Sequence, residues 1–282
     1  MITHFSPKEE YGQSKPPSNS LVSKTYNSIQ NKFHHFEESV NQKILVYNRP
    51  QILTHDSLSY DSNLESFSKQ NNFIYLKTPN EGLRNALKLG ASLAKNDLIF
   101  FVEHDWEFVA QIDTHVLIRA MSKSNIKLIS FNQWVNNNPK HIDNLNNAQK
   151  IASFTPRLSF GNGSYITEKG YLEKLIEKSK PRLSFKFLLG ASTMKNKIWT
   201  IGFFLRMIKI NLPSFASEII PLQIFDNKYQ YVWPYLNNME FILDSLYKAD
   251  IYLYGAGAAH RKWGIYYFGE VGGGPYREHQ GR

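Results

Sequence analysis

Two groups of residues in this chain have types and spacing suited to chemistry. The first is Glu103-His104-Asp105, which follows an unbroken apolar run, Leu98-Ile99-Phe100-Phe101-Val102. Such a run reads as a parallel strand buried on both faces. Polarity then changes abruptly, and open α/β sheets place their ligands beyond the carboxyl ends of their strands. Two carboxylates one residue apart, past the end of a strand, can both turn toward one hard divalent cation. Such a cation takes oxygen ligands and can be shared with phosphates. The competing reading is a solvated loop with ordinary acids. The second group is Glu240 and Asp244, four residues apart on a predicted helix and so on one face. His260 follows later. The competing readings are a solvated helix acid and a capped loop histidine.

The first group needs a platform, and the residues before it supply one. Phe73 to Leu76 reads as a strand, and Thr78-Pro79-Asn80-Glu81-Gly82 as a turn and helix entry. Leu83, Leu87, Gly90, Ala91 and Ala94 recur at helical spacing, with small residues that let the helix lie close on a sheet. Upstream, Ile2 to Phe5 reads as a short strand, Leu21 to Phe36 as a helix, Lys43 to Tyr47 as a strand and Asp61 to Lys69 as a short helix. This alternation predicts a doubly wound, mostly parallel sheet. Downstream, Ile112 to Met121 reads as a helix, Lys127 to Phe131 as a strand, Asn136 to Asn147 as a loop fit for a lid, and Gly170 to Lys178 as a helix. Gly161 and Gly163 suit either close backbone approach to a ligand or a hairpin, with the hairpin preferred. Lys186 to Met194 reads as a strand, Asn237 to Asp250 as a helix and Ile251 to Tyr254 as a strand. Arg277, His279 and Arg282 read as a frayed basic tail, with folding back onto a phosphate group as the rival.

The order Asn80-x-Gly82, small-residue helix, Lys95-Asn96-Asp97, apolar strand, acidic triplet resembles the nucleotide-sugar glycosyltransferases of the GT-A fold, with family 2 the nearest match. The resemblance covers residues 40–130 well and 237–262 loosely. It implies an α/β, Rossmann-like, mostly parallel sheet flanked by helices, with an elaborated C-terminal acceptor-side region. It divides one domain into a donor-binding half, 1–135, and an acceptor-binding and catalytic half, 136–282. It implies a metal site of Glu103, Asp105 and His260 that holds Mn²⁺ or Mg²⁺ on the donor's diphosphate. Asn48, Asn80, Gly82, Arg84 and His104 would lie at the donor. Glu240 would be the general base, with Asp244 as the fallback. The implied activity is transfer of a sugar, with inversion, from a nucleotide-diphosphate donor to a glycan, lipid-linked or protein acceptor, as in polysaccharide biosynthesis. Two departures stand out. The family's usual Asp-x-Asp begins here with Glu103, and Met239 and Phe241 flank Glu240 where a Glu-Asp pair is usual. Both favour the alternative, a non-catalytic GT-A-like protein that binds a sugar or nucleotide. A nucleotidyltransferase would need a Gly-rich basic loop after the first strand, and Gly12 to Lys15 matches that poorly.

Composition bounds these readings. A chain of 282 residues with 42% hydrophobic content suits one large α/β domain with a real core. The absence of cysteine excludes a disulfide framework, a thiolate zinc site and a cysteine nucleophile, and fits a reducing compartment. The formal charge of +9 would attract phosphorylated ligands, but Lys and Arg are scattered, so no nucleic-acid surface is expected. Met1 to Glu10 lacks the apolar core of a signal peptide, which leads to the expectation of a cytoplasmic protein. Trp199 to Ile210 reads as an amphipathic core helix, and its apolar content leaves peripheral membrane contact open. Gly272 to Gly274 lacks phosphate-loop spacing, which excludes an NTPase.

Overall fold

The computed structural model of the chain describes residues 1–5, 19–50, 53–79, 82–123, 125–133, 154–157, 160–161, 163–179, 239–269 and 274–279. In chain order the first half contains β1 (Ile2–His4), α1 (Asn19–Lys32), β2 (Phe33–His34), α2 (Phe36–Ser39), β3 (Lys43–Arg49), α3 (His55–Gln70), β4 (Phe73–Pro79), α4 (Leu83–Leu93) and β5 (Leu98–Phe101). The second half contains β6 (Trp106–Phe108), β7 (Ile112–Asp113), α5 (Thr114–Lys123), β8 (Leu128–Ser130), β9 (Phe154–Pro156), β10 (Tyr165–Glu168), α6 (Lys169–Lys178), α7 (Met239–Tyr254), α8 (Ala256–Trp263), β11 (Ile265–Phe268) and β12 (Arg277–His279).

The strands β1, β3 and β4 pair in parallel. Ile2 then ties β1 to the end of β5: its N–H donates to the Val102 carbonyl at 2.9 Å, and its carbonyl accepts from the His104 N–H at 3.1 Å. The sheet continues in the order β5-β10-β8-β11-β9. β10 is antiparallel to β5 and β8, and β11 is parallel to β8. The fold is therefore α/β with a mixed sheet whose first half is parallel. Strand alternation sorts side chains to two faces. Val46, Phe101, Leu128, Tyr165 and Ile265 pack with α4, α6, α7 and α8, while Val102, Ile129, Ile166 and Tyr266 pack with α1, α2 and α5. The second face is rich in aromatic contacts, such as Phe33 edge-on to Phe108 at 4.8 Å and Phe108 edge-on to Phe131 at 5.4 Å. Much of the aromatic content thus fills core. On the first face, Gly90 lets α4 approach β3, where an added Cβ would touch Val46 at 3.5 Å.

Several expectations are corrected. The strand predicted at Ile251 to Tyr254 is helical, because α7 runs on to Gly255 and α8 follows at once. A four-residue apolar run has no period to separate strand from helix. The true late strand is β11. Gly161 and Gly163 do not make a hairpin: β9 and β10 occupy separate places in the sheet. The helix predicted to reach Phe36 stops at Lys32, where β2 pairs in parallel with β7. α3 begins at His55 rather than Asp61 because Thr54 and Ser57 form a capping box. β5 is neither purely parallel nor wholly buried. β1 spans only Ile2–His4, so β3 and β5 outrun it and border an apolar cavity of about 450 Å³ at the end of the sheet away from the acidic triplet. The tail folds back as β12, antiparallel to β6. Asn80, the loop at 136–147, the strand at 186–194 and the segment Trp199 to Ile210 lie outside the described residues. No helix among the described residues is long and apolar enough to cross a membrane.

Candidate active site

The acidic triplet stands where the sheet ends. Glu103 forms a parallel bridge with Ile2, which aims the chain out of the sheet at the carboxyl end of β1. Helix α1 holds the turn that follows. Thr25 Oγ1 donates to the His104 carbonyl at 2.6 Å, and the Phe108 N–H donates to Ser28 Oγ at 3.0 Å. His104 is buried, with its ring edge-on to His4 at 5.0 Å. Burial, and then His104, holds His4 down to about 4, so that imidazole is neutral near pH 7.

Glu103 and Asp105 act on each other. Burial first, and then repulsion from Asp105, pushes the Glu103 carboxyl up to about 7. A hydrogen bond from Trp106 Nε1 at 3.3 Å and the nearby Arg277 oppose that rise, while Glu240 adds to it. Glu240, from the first turn of α7, is therefore close enough to Glu103 to repel it. The structure brings Glu240 to Glu103 and Asp105, which are distant from it in sequence.

Two buried arginines complete the group. Arg277 comes from β12, in register with Phe108, and its guanidinium lies 3.7 Å from the centroid of the Trp106 ring. It interacts with Glu103 and Asp105, and burial, then Arg157, brings it down to about 10. Its Nε and Nη1 have no hydrogen-bond partner among the described residues. Arg157 follows β9. Its Nη1 donates to Ser130 Oγ at 2.6 Å, and its guanidinium lies over Tyr267 at 4.5 Å. Gly161 and Gly163 make room for the two guanidinium groups. An added Cβ at Gly161 would collide with Arg157 and reach Glu240 Oε1 at 3.3 Å, and one at Gly163 would collide with Arg277. A side chain at either position would displace the end of an arginine, and at Gly163 the φ of 106° itself favours glycine.

Other expected site residues are placed elsewhere. His260 does not join the acids. It sits in α8, 1% exposed, with its ring edge-on to Tyr266 at 4.7 Å and Nδ1 3.4 Å from the Tyr247 hydroxyl. Burial holds it down to about 4. Among the described residues, Glu103, Asp105 and His260 do not form a cluster with ligand atoms within 4.8 Å of one another. Tyr247 also donates to the Arg157 carbonyl at 2.6 Å, so this pair backs Arg157 from behind. Asp244 accepts from the Phe160 N–H at 3.1 Å and pairs with Lys248 at 2.5 Å, so its oxygens are engaged in holding the loop before Gly161. Arg84 Nε donates to the Ile176 carbonyl at 3.0 Å and fastens α4 to α6. Gly82 caps α4 at φ 93° with open space around it. Asn48, next to last in β3, is in register with His4; it is 5% exposed, and its Oδ1 has no partner among the described residues. Arg49, the last residue of β3, pairs with Asp61 at 3.7 Å.

The residues that the sequence reading missed are Arg157 and the inward turn of Arg277. An arginine four residues ahead of Gly161 in Gly161-Asn162-Gly163 was the one local signal for the first.

The donor set fits a hard cation. Glu103 and Asp105 offer oxygen, and the raised Glu103 marks crowded negative charge that a divalent ion would relieve.

No protein-family model matches the chain, and no curated protein matches it. Among solved structures, the chain is similar to the crystal structure of GalNAc-T7 with UDP, GalNAc and Mn²⁺, at 13% identity and a TM-score of 0.42 over 62% of this chain; it spans 36% of that chain. It is also similar to the mannosyltransferase PcManGT from Pyrobaculum calidifontis in complex with GDP-Man and Mn²⁺, at 11% identity and a TM-score of 0.41, over 92% of this chain and 76% of that one. Overlap at this level names no activity for this chain.

Proposed function

We propose that the chain is a metal-dependent glycosyltransferase that moves a sugar from a nucleotide-diphosphate donor to an acceptor hydroxyl with inversion. One observation carries the reading: Glu103 and Asp105, at the carboxyl end of the central strands, are close to a third acid, Glu240, and to buried Arg277. Glu103 and Asp105 would hold Mn²⁺ or Mg²⁺, which when bound supplies positive charge to the donor's diphosphate. Arg277 adds charge-assisted donors on the same side, and its unpartnered Nε and Nη1 suit phosphate oxygens. Asn48 and His104 lie on the side of β1 and β3, where a nucleoside would rest.

Glu240 accepts the proton from the acceptor hydroxyl as that oxygen bonds to the anomeric carbon. The bond from that carbon to the diphosphate oxygen breaks, and the diphosphate leaves with the electron pair. One in-line step inverts the centre. The acceptor, whether glycan, lipid-linked or protein, approaches from the side of α7.

Calorimetric titration of UDP, GDP and CMP tests this, each with and without Mn²⁺, into wild type and Asp105→Ala. One nucleotide should bind only with metal, and that binding should vanish in Asp105→Ala. No nucleotide binding under any condition would sink the donor site. Nucleotide binding without sugar transfer, unchanged by Glu240→Gln, would instead indicate a non-catalytic binding protein.

A further inference from the structure

A second group of metal-ligating side chains lies outside the site just described. His35, Glu38 and His115 offer ligand atoms that all lie within 4.8 Å of one another at the protein surface. His35 Nδ1 is 3.3 Å from Glu38 Oε2, and the imidazoles of His35 and His115 are parallel, with centroids 4.4 Å apart and 8° between planes. We infer that this trio is a transition-metal site of His₂Glu type that takes Zn²⁺ or a similar borderline cation.

The spacing of the donor atoms suits the chemistry, and binding by both histidines requires the stacked, exposed imidazoles to turn apart so that each ring plane contains the ion. Bonds of about 2.0 Å to a tetrahedral zinc put neighbouring ligand atoms about 3.3 Å apart, which is the separation already present between His35 and Glu38. Two imidazoles with one carboxylate select zinc, nickel or copper over magnesium and calcium. Three protein ligands leave a fourth position for water.

The backbone holds the trio in place from two distant parts of the chain. β2 and β7 pair in parallel, with Phe33 opposite Ile112 and His34 opposite Asp113, so the residues just beyond them arrive together. His35 sits at φ 60°, between Phe33 and Phe36, which are both buried. The left-handed region is one that histidine, asparagine and aspartate enter more readily than other residues with side chains. His115 lies in the first turn of α5, with its N–H donating to Asp113 Oδ1 at 2.9 Å. Adjacent His34 is exposed and lies outside the trio. A metal here would clamp α2 to α5 below α1, the helix whose Thr25 and Ser28 hold the acidic turn.

The inference is independent of the proposed transfer, and the test keeps it so. Zn²⁺ alone is titrated by calorimetry into untagged full chain carrying Asp105→Ala, which removes one of the two carboxylates that would hold a cation in the acidic site. One equivalent should bind. Adding His115→Ala, or separately the surface change Glu38→Gln, should weaken it at least tenfold, while His34→Ala should leave it intact. Co²⁺ in place of Zn²⁺ should give a visible absorption band that both weakened variants lose. Failure of the parent to bind Zn²⁺ saturably, unchanged affinity in Glu38→Gln or His115→Ala, or an equal loss in His34→Ala, overturns the assignment.

Discussion

Glu103→Gln is the sharpest perturbation available in the acidic site. Glu103 is raised from an ordinary 4.5 up to about 7, first by burial and then by Asp105. A carboxyl whose folded value lies above its unfolded value binds its proton more tightly in the native state. Stability is therefore full below about pH 4.5 and falls as pH rises through the window to about 7. Each unit of difference corresponds to about 1.4 kcal/mol, so the penalty above the window is about 3 kcal/mol. Some solvent access at Glu103 trims this to about 2 kcal/mol. Glutamine has nearly the same shape, keeps an acceptor for Trp106 Nε1 and carries no charge. Without divalent metal, the variant should exceed wild type by about 2 kcal/mol at pH 8 and by less than about 1 kcal/mol at pH 5. Urea unfolding in chelator at the two pH values, with unchanged slopes, reads this directly. Adding Mn²⁺ at pH 8 should stabilise wild type and not the variant. A variant less stable than wild type at pH 8, or a difference that ignores pH, would refute the crowding argument.

Three further outcomes are expected. Glu240→Gln should lower the transfer rate by about a hundredfold or more with nucleotide affinity intact, whereas Asp244→Ala should cost about 1–3 kcal/mol of stability by leaving the Phe160 N–H unpaired; turnover and denaturation measured side by side separate the two acids. Gly163→Ala should destabilise by more than about 1 kcal/mol, because φ is 106° and the new Cβ meets Arg277, and it should weaken nucleotide binding through that arginine; a melting temperature and Kd equal to wild type would contradict this. His260→Ala should lower stability by about 2–4 kcal/mol through lost core packing, yet leave Mn²⁺ affinity unchanged where Asp105→Ala abolishes it; a matching loss of metal in both would restore His260 to the ligand set.

The parts of the site that are legible in sequence share a cause. The abrupt change from Val102 to Glu103 marks a strand end, and Glu240 follows a helical period, so both acids announce themselves through their neighbours. The α/β alternation from Lys43 to Phe108 is equally local. His260 misled because the apolar run before it suits a strand or a helix alike, and the choice of helix turned its ring into the core beside Tyr247 and Tyr266. The glycine pair around Asn162 serves a hairpin or a close approach equally well, and only the arrival of Arg157 and Arg277 decides between them.

The sequence by itself determined the class of fold, the place of Glu103 and Asp105 at a strand end, and the helix that carries Glu240. Only the tertiary structure decided which charges those acids meet. Arg157 arrives through β9 pairing with β11, and Arg277 through β12 pairing with β6. His35 meets His115 through β2 and β7 in the same way. Periodicity and turn chemistry belong to adjacent residues, but strand partners and register are settled by burial and hydrogen bonding across the whole sheet. That global choice selects the partner of each buried charge.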